Sequence, residues 1–332
     1  MTTIVQEQIG KLLGSFHLKV SGRTLLLGAI PSVVLLAFAP YLVGAYGVSL
    51  ITEALILGLW AMSLNVLAGQ TGLISLGHAA TFGIGAYGVG LTQNFLGWPF
   101  LAAAVVGVGA ALVVSLVFAL TAARSTGVYF IIVTLAQGML VWGVIQRWSS
   151  VTGGDDGLRG IERPAFLSPY WIYYWATLAV VVASIVILGA LQSSRVGLRL
   201  RGVRDSATRM GALGYSVSRQ RILGFLISGT FAGLAGVLYA GHYLYISPSV
   251  VYVTRSVEVL LMVIIGGIGT FLGPMVGAAI LVFGRAGLSL YTERWSTVMG
   301  TALILMVLFA PDGIVGRLRK IDVSRLKRRR RR

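Results

Sequence analysis

Ten apolar runs, most of them close to bilayer length, are the feature that leaves this chain fewest ways to fold. They lie near residues 25–46, 48–68, 73–93, 99–122, 127–148, 171–191, 222–245, 257–269, 272–290 and 296–311. A helix needs about 20 apolar residues to cross the hydrocarbon of a bilayer. With 56% hydrophobic residues and a mean hydropathy of +0.86, the chain has too little alternation for a soluble core of this size. In lipid every backbone polar group must be paired within the protein, which leaves helices as the element for such runs. The expectation is an all-α polytopic membrane protein with about 10 transmembrane helices. The first run follows a mildly basic arm and is longer than the apolar core of a signal peptide, so it reads as an uncleaved span. Cysteine is absent, which excludes disulfides and thiolate metal sites.

A formal charge of +17 raises nucleic-acid binding as a possibility. The basic residues are confined to the gaps between apolar runs, however, and no soluble domain is left to carry a nucleic-acid site. Placing both termini in the cytoplasm puts 21 of the 27 Lys and Arg residues on the inner side. Arg147, Arg159, Arg163, Arg255 and Arg294 remain outside, and Arg285 falls within a span. This asymmetry is the positive-inside pattern. The chain then divides into a cytoplasmic arm (1–24), a transmembrane domain (25–316) and a basic tail (317–332). Six consecutive basic residues at 327–332 are suited to the anionic lipid of the inner leaflet, at about 1 kcal/mol per group. The segment 257–290 reads either as two spans or as one re-entrant hairpin, which charge parity cannot distinguish. Segments 48–148 and 222–311 enter from opposite sides, as a pair of inverted repeats would.

Residues 69–90, GQTGLISLGHAATFGIGAYGVG, interrupt the apolar pattern with Gln70, Thr71, Ser75, His78 and Thr81 among many glycines. Polar, glycine-rich backbone survives at membrane depth only against protein or a water-filled cavity. Gln70, Thr71, Ser75 and His78, with Asn65 and Gln137 from other spans, are therefore candidates to line a translocation pathway. Ser75 and His78 share a face if that part is helical. A hydrolase is not indicated, because no third member or nucleophile elbow accompanies them. His78 is equally suited to a hydrogen bond with a neighbouring helix. Glu53 and Glu258 sit at span ends, and the lack of a carboxylate in mid-membrane weighs against proton coupling.

Two loops stand out. The outer one, 149–170, carries Asp155, Asp156, Arg159, Glu162 and Arg163 around turn-forming glycines. Two adjacent aspartates without further ligands make a poor cation site, so no metal is expected there. The loop reads as a mixed-charge cap able to receive a soluble partner, or as a plain solvated loop. The inner loop, 192–221, holds seven arginines. Asp205 and Arg209 at i,i+4, with Ala207, Ala212 and Leu213, allow a short helix ended by Gly214. Such a helix would be a rigid lever for a cytosolic partner, or would rest on anionic lipid. No Gly-Lys-Ser/Thr phosphate loop and no zincin histidine pair is present. Any ATP must be hydrolysed by another chain.

Four separated motifs, GQTGLISLGHAATFGIGAY (69–87), TGGDDGLRGI (152–161), GLRLRGVRDSATRMGALGY (197–215) and GGIGTFLGPMVGA (266–278), occur in an order and spacing typical of one family. Over about residues 50–316 the chain resembles the M-type permease subunit of high-affinity branched-chain amino acid ABC importers. The resemblance implies a non-catalytic subunit without a cofactor of its own, in a bacterial inner membrane. Expected partners are a paralogous H-type permease, two cytosolic ABC ATPases carrying ATP and Mg, and a periplasmic solute-binding protein. Arg204, Asp205, Arg209, Ala212 and Gly214 would form the coupling element seated on an ATPase. Asp155, Asp156, Arg159 and Arg163 would lie on the binding-protein side. The implied cargo is branched-chain or other small hydrophobic amino acids; similar permeases serve urea, amides, or small aromatic or carboxylic acids. An ATP-independent facilitator would use the same glycine-rich path.

Overall fold

The computed structural model describes residues 38–291, with residues 36, 294, 297–298, 300–301 and 313–317 besides. The N-terminal arm, most of the first and last expected spans, and the tail beyond residue 317 lie outside the described residues. Ten helices organise the rest: α1 (Ala45–Asn65), α2 (His78–Leu96), α3 (Phe100–Ala122), α4 (Val128–Arg147), α5 (Tyr170–Ser193), α6 (Arg195–Asp205), α7 (Ala207–Ala212), α8 (Val217–Tyr243), α9 (Val253–Gly266) and α10 (Gly273–Ser289). Among the described residues the only β pairing recorded is an isolated bridge between Leu158 and Ile246. The chain is thus an all-α polytopic membrane protein. Among the described residues five segments, Ala45–Thr71, α3, α4, α5 and α8, are long and apolar enough to cross a bilayer unaided. Pro99 and Pro169 stand immediately before α3 and α5, where the missing amide donor costs nothing.

Burial separates centre from periphery. Within the apolar 18-residue stretch of Ala45–Thr71, 89% of the residues are buried, and within that of α8, 67%, whereas those of α3, α4 and α5 are only 22–33% buried and apolar on all sides. The first two form the central pair, and the other three turn much of their surface to lipid or to another subunit. Polar links inside this core join backbones directly: Ser228 Oγ on α8 donates to Ser63 O on α1 at 2.6 Å, and Ser115 Oγ on α3 donates to Phe225 O on α8 at 2.7 Å. Helix α1 packs on α8, α9 and α10, while α8 packs on α1, α2 and α3; α2 pairs with α3 and α9 with α10. Exchanging α1 with α8, α2 with α9 and α3 with α10 maps these contacts onto one another, with the packing of α1 on α5 outside the pattern. This is the packing signature of the inverted halves expected at 48–148 and 222–311.

Contacts at the two ends of the bundle identify which loops lie together. At one end Arg221 Nη1 donates to Ala123 O (3.0 Å) and Ser125 O (3.3 Å), Arg204 reaches Gly69, and Asn65 reaches Thr270. At the other, Leu158 pairs with Ile246, and Gln93 and Asn94 donate to the carbonyls of Glu162 and Arg159. Helix α9 leads away from the second end, and the turn after it arrives at the first. The segment 257–290 therefore runs toward the first end in α9 and turns back in α10, as expected of two spans. At 14 residues, α9 rises only about 21 Å. The deficit is made up by residues 244–252, which dip into the bundle: Ile246, Val250 and Val251 are each no more than 2% exposed.

Two expected boundaries shift. The third span, expected from residue 73, begins as helix only at His78, because residues 72–77 are unwound. The seventh, expected from 222, begins at Val217, where Ser216 Oγ caps it by accepting from Arg219 N. The inner loop expected at 192–221 is consequently occupied almost entirely by helices.

Candidate functional site: a broken helix fastened to the α6–α7 arm

Helix α1 does not end cleanly. After Asn65 it widens into a π-turn, Val66–Thr71, and the chain reverses through Gly72 at φ +75°. Single π-turns recur where a helix is locally adapted to a task. Close approach sets the residue at position 69: a Cβ there would sit 2.6 Å from Asn65 Oδ1 and 2.8 Å from Gly269 Cα. With glycine, the π-turn and the 267–272 turn of the opposite half meet backbone to backbone. Asn65 pins them together, donating from Nδ2 to Thr270 O (2.7 Å) and accepting at Oδ1 from Gly269 N (2.8 Å).

The same turn is held from outside by α6. Arg204 Nη1 donates to Gly69 O at 2.6 Å, and Arg201 Nη1 donates to Gln70 Oε1 at 3.3 Å and to Gln192 O at 2.9 Å. Burial first, and then the Arg204 charge, lower the Arg201 guanidinium from its ordinary value against a raising contribution from Asp205. Thr71 closes its own turn by donating to Leu67 O at 2.6 Å. Beyond it, Ser75 Oγ accepts from Gly77 N at 3.3 Å, and Leu76 N donates to Thr134 Oγ1 on α4 at 3.2 Å. His78 opens α2 with its Nε2 2.8 Å from Ser63 Oγ, and its ring lies parallel to Trp60. Ala79 N donates to Ser256 Oγ on α9 at 3.0 Å.

Five of the six residues expected in the pathway are thus brought to one place: Asn65, Gln70, Thr71, Ser75 and His78 surround the break, each no more than 4% exposed. They are hydrogen-bonded within the protein. Gln137 is not part of it; its Nε2 donates to Thr121 Oγ1 and to Phe118 O, joining α4 to α3. Ser75 and His78 do not share a helical face, because the backbone is unwound until His78, and the histidine takes its partner from Ser63 instead. Ser63 and Arg201 were not singled out from sequence. A hydroxyl among apolar residues and one arginine among seven carry no distinguishing signal.

The expected lever is two helices rather than one. Ser194 Oγ caps α6 by accepting from Val196 N (3.1 Å), and Ser206 Oγ caps α7 by accepting from Arg209 N (3.2 Å). Because Ser206 interrupts the helix, Asp205 and Arg209 are not an i,i+4 pair. Asp205 binds its neighbour Arg204 at 2.9 Å instead. Gly214 does end α7, at φ +82°, with its own amide bonded to Gly211 O (2.9 Å) and that of Tyr215 to Met210 O (3.0 Å). These are the two bonds of a Schellman motif. Arg209, Ala212 and Gly214 are exposed at this tip, beside Leu213, which is 72% exposed.

At the opposite end, Asp155, Asp156 and Arg159 are exposed. Asp155 accepts from Gln146 Nε2, and Asp156 O accepts from the Tyr245 hydroxyl at 3.0 Å. Arg163 turns inward to bond Gly241 O and His242 O at the end of α8, and stacks 4.1 Å above the Tyr173 ring. Burial lowers its guanidinium from the ordinary value, opposed by Tyr173. One expectation fails here. Glu53 and Glu258 are not at span ends: Glu53 lies inside α1, 7% exposed and bonded to Arg285 at 2.5 Å, and Glu258 lies inside α9, bonded to Arg255 at 2.7 Å.

Residues 46–308 match the family described as branched-chain amino acid transport system, permease component. The chain is 26% identical over 303 residues to the high-affinity branched-chain amino acid transport system permease protein LivM of Escherichia coli K12, covering 83% of this chain and 71% of that protein. It is also 26% identical over 286 residues to LivH of the same organism and system, covering 77% and 90%. The autoinducer 2 import system permease protein LsrC of Klebsiella pneumoniae is 27% identical over 195 residues, 55% of each chain. No solved structure matches the chain.

Proposed function

Since the chain belongs to the branched-chain amino acid transport permease family, we propose that it is one membrane-spanning half of an ABC importer for branched-chain or other small hydrophobic amino acids. Its partners in this reading are a second, paralogous permease, two cytosolic ATPases that bind ATP and Mg, and an external solute-binding protein, in a bacterial inner membrane. Similarity to both LivM and LivH of one organism supports the paired permease.

The hydrogen bond from Arg204 to Gly69 carries the mechanism. It joins α6 to the break in α1, and through Asn65 to the 267–272 turn of the other half. An ATPase seated on the exposed α6–α7 tip would displace α6, and the break and the turn would follow together. The buried polar residues at the break then act as a gate that opens when these bonds rearrange, giving alternating access. This chain makes and breaks no covalent bonds in the cycle.

The test is recovery of the chain from its native membrane in mild detergent, identification of its partners, and an ATPase assay. A second permease and two Walker-motif subunits, with activity raised by binding protein plus leucine, are expected. Recovery of the chain alone, with passive solute flux in liposomes, would replace the importer with a facilitator.

A further inference from the structure

Four charged side chains meet inside the bundle well away from the break. Glu53 on α1 bonds Arg285 on α10, and Arg255 bonds Glu258 within α9. Helix α1 packs on α9 and α10, which pack on each other, and on α8, which carries Tyr239 and Tyr243 one turn apart. Glu53 is 16 residues from Gly69 along α1 and its π-turn, about 24 Å at helical rise. The two clusters are thus separate. The quartet carries two charges of each sign and is electrically neutral.

Stability does not explain it. Charges at membrane depth are expensive and mark pathways or binding sites, and buried ion pairs seldom stabilise more than apolar residues of the same volume. Nor is the quartet sealed: the four side chains are 9–28% exposed, open enough to be touched. A solute bearing one positive and one negative group can enter by exchanging partners, its carboxylate onto an arginine and its ammonium onto a glutamate. No charge is then left unpaired. A monoanion or monocation would leave one partner bare in low dielectric. Two phenol rings at 4.5 Å centroid separation offer an adjacent apolar surface.

We propose that Glu53, Arg285, Arg255 and Glu258, with Tyr239 and Tyr243, form a binding station for zwitterionic α-amino acids. The proposal rests on the importer reading above and specifies where the cargo is held. The test measures leucine uptake and ATP hydrolysis in parallel by the assembled complex in proteoliposomes with its binding protein. Two double variants, Glu53→Gln/Arg285→Met and Arg255→Met/Glu258→Gln, each remove one pair without stranding a charge. Leucine moved per ATP hydrolysed is expected to fall at least tenfold in both. An unchanged ratio in either variant would overturn the station. So would failure of both to assemble, which would make the quartet a structural brace. A wild-type complex that carries only a monoanion such as 4-methylpentanoate would keep the importer and overturn the station. One with no solute-dependent uptake at all would refute the importer reading itself.

Discussion

Arg204→Met separates the role of the Arg204 head group from that of its stem. The stem packs against the turn, with Cγ 2.9 Å from where a Cβ on Gly72 would be, and methionine keeps that contact. What is lost is the 2.6 Å bond to Gly69 O, made by a side chain only 11% exposed. A hydrogen bond with one charged partner in such a setting contributes about 1.5–3 kcal/mol. If that bond transmits displacement of α6 to the break, its loss lowers the coupling between ATPase and gate by the same amount. At 1.4 kcal/mol per decade this is about tenfold to a hundredfold. The assay is the ratio of solute-stimulated to unstimulated ATPase activity in the assembled complex. Asp205→Asn serves as comparison: it removes the Arg204–Asp205 pair but leaves the bond to Gly69. Because that carboxylate is 38% exposed, the pair is worth about 0–1 kcal/mol, and the ratio should change less than about fivefold. Normal stimulation in Arg204→Met, or equal losses in the two variants, would refute transmission through Gly69.

Asn65→Ala strands the Gly269 amide and the Thr270 carbonyl in a buried turn; at about 1–3 kcal/mol for each unpaired group, chemical denaturation in detergent should show a loss of about 2–6 kcal/mol. Gly214→Ala meets no atom within 4 Å, so the cost is that of a left-handed alanine, about 1–2 kcal/mol. Amide exchange at Tyr215 should rise roughly tenfold while the helical content stays. Arg163→Met frees the Gly241 and His242 carbonyls and removes the contact with Tyr173; a loss of about 2 kcal/mol in the same denaturation is expected. Lysine should not rescue it, because one ammonium cannot reproduce a planar fork across two carbonyls.

Much of the architecture was legible because lipid leaves so few choices. Apolar run length placed most of the helices, the polar glycines at 69–78 marked where the pattern is interrupted, and Gly214 marked a real helix end. What escaped reading depended on distance or on competition between local signals. Glu53 and Arg285 are 232 positions apart, and from sequence each is only an odd charge in or near an apolar run. The spacing of Asp205 and Arg209 suggests one helix, but Ser206 between them is a cap, and the cap decides. His78 found Ser63 rather than Ser75 because the unwound segment turns His78 back toward α1, a consequence of Gly72 that no periodicity expresses.

The inverted packing bears on how the two loops could act on the pathway. Exchanging α1 with α8 sets the turn through Gly72 (φ +75°) against the turn through Leu244 (φ 57°), and the unwound segment 72–77 against 244–252, which holds only a 3-10 turn at Pro248–Val250. Each half therefore breaks after its central helix, at opposite ends of the bundle. The break at Gly72 is held by arginines of α6, and the break at Leu244 by the Leu158–Ile246 bridge from the 149–170 loop. In the proposed importer, each partner touches the loop that holds the break on its own side: the ATPase through α6–α7, the binding protein through 149–170. The zwitterion station lies beside the break at Leu244, with Tyr243 just before it and Arg255 just after it, on helices drawn from both halves. In that proposal, opening one break while the other stays bonded would open the pathway to one side at a time, by two local fastenings rather than by sliding the whole bundle.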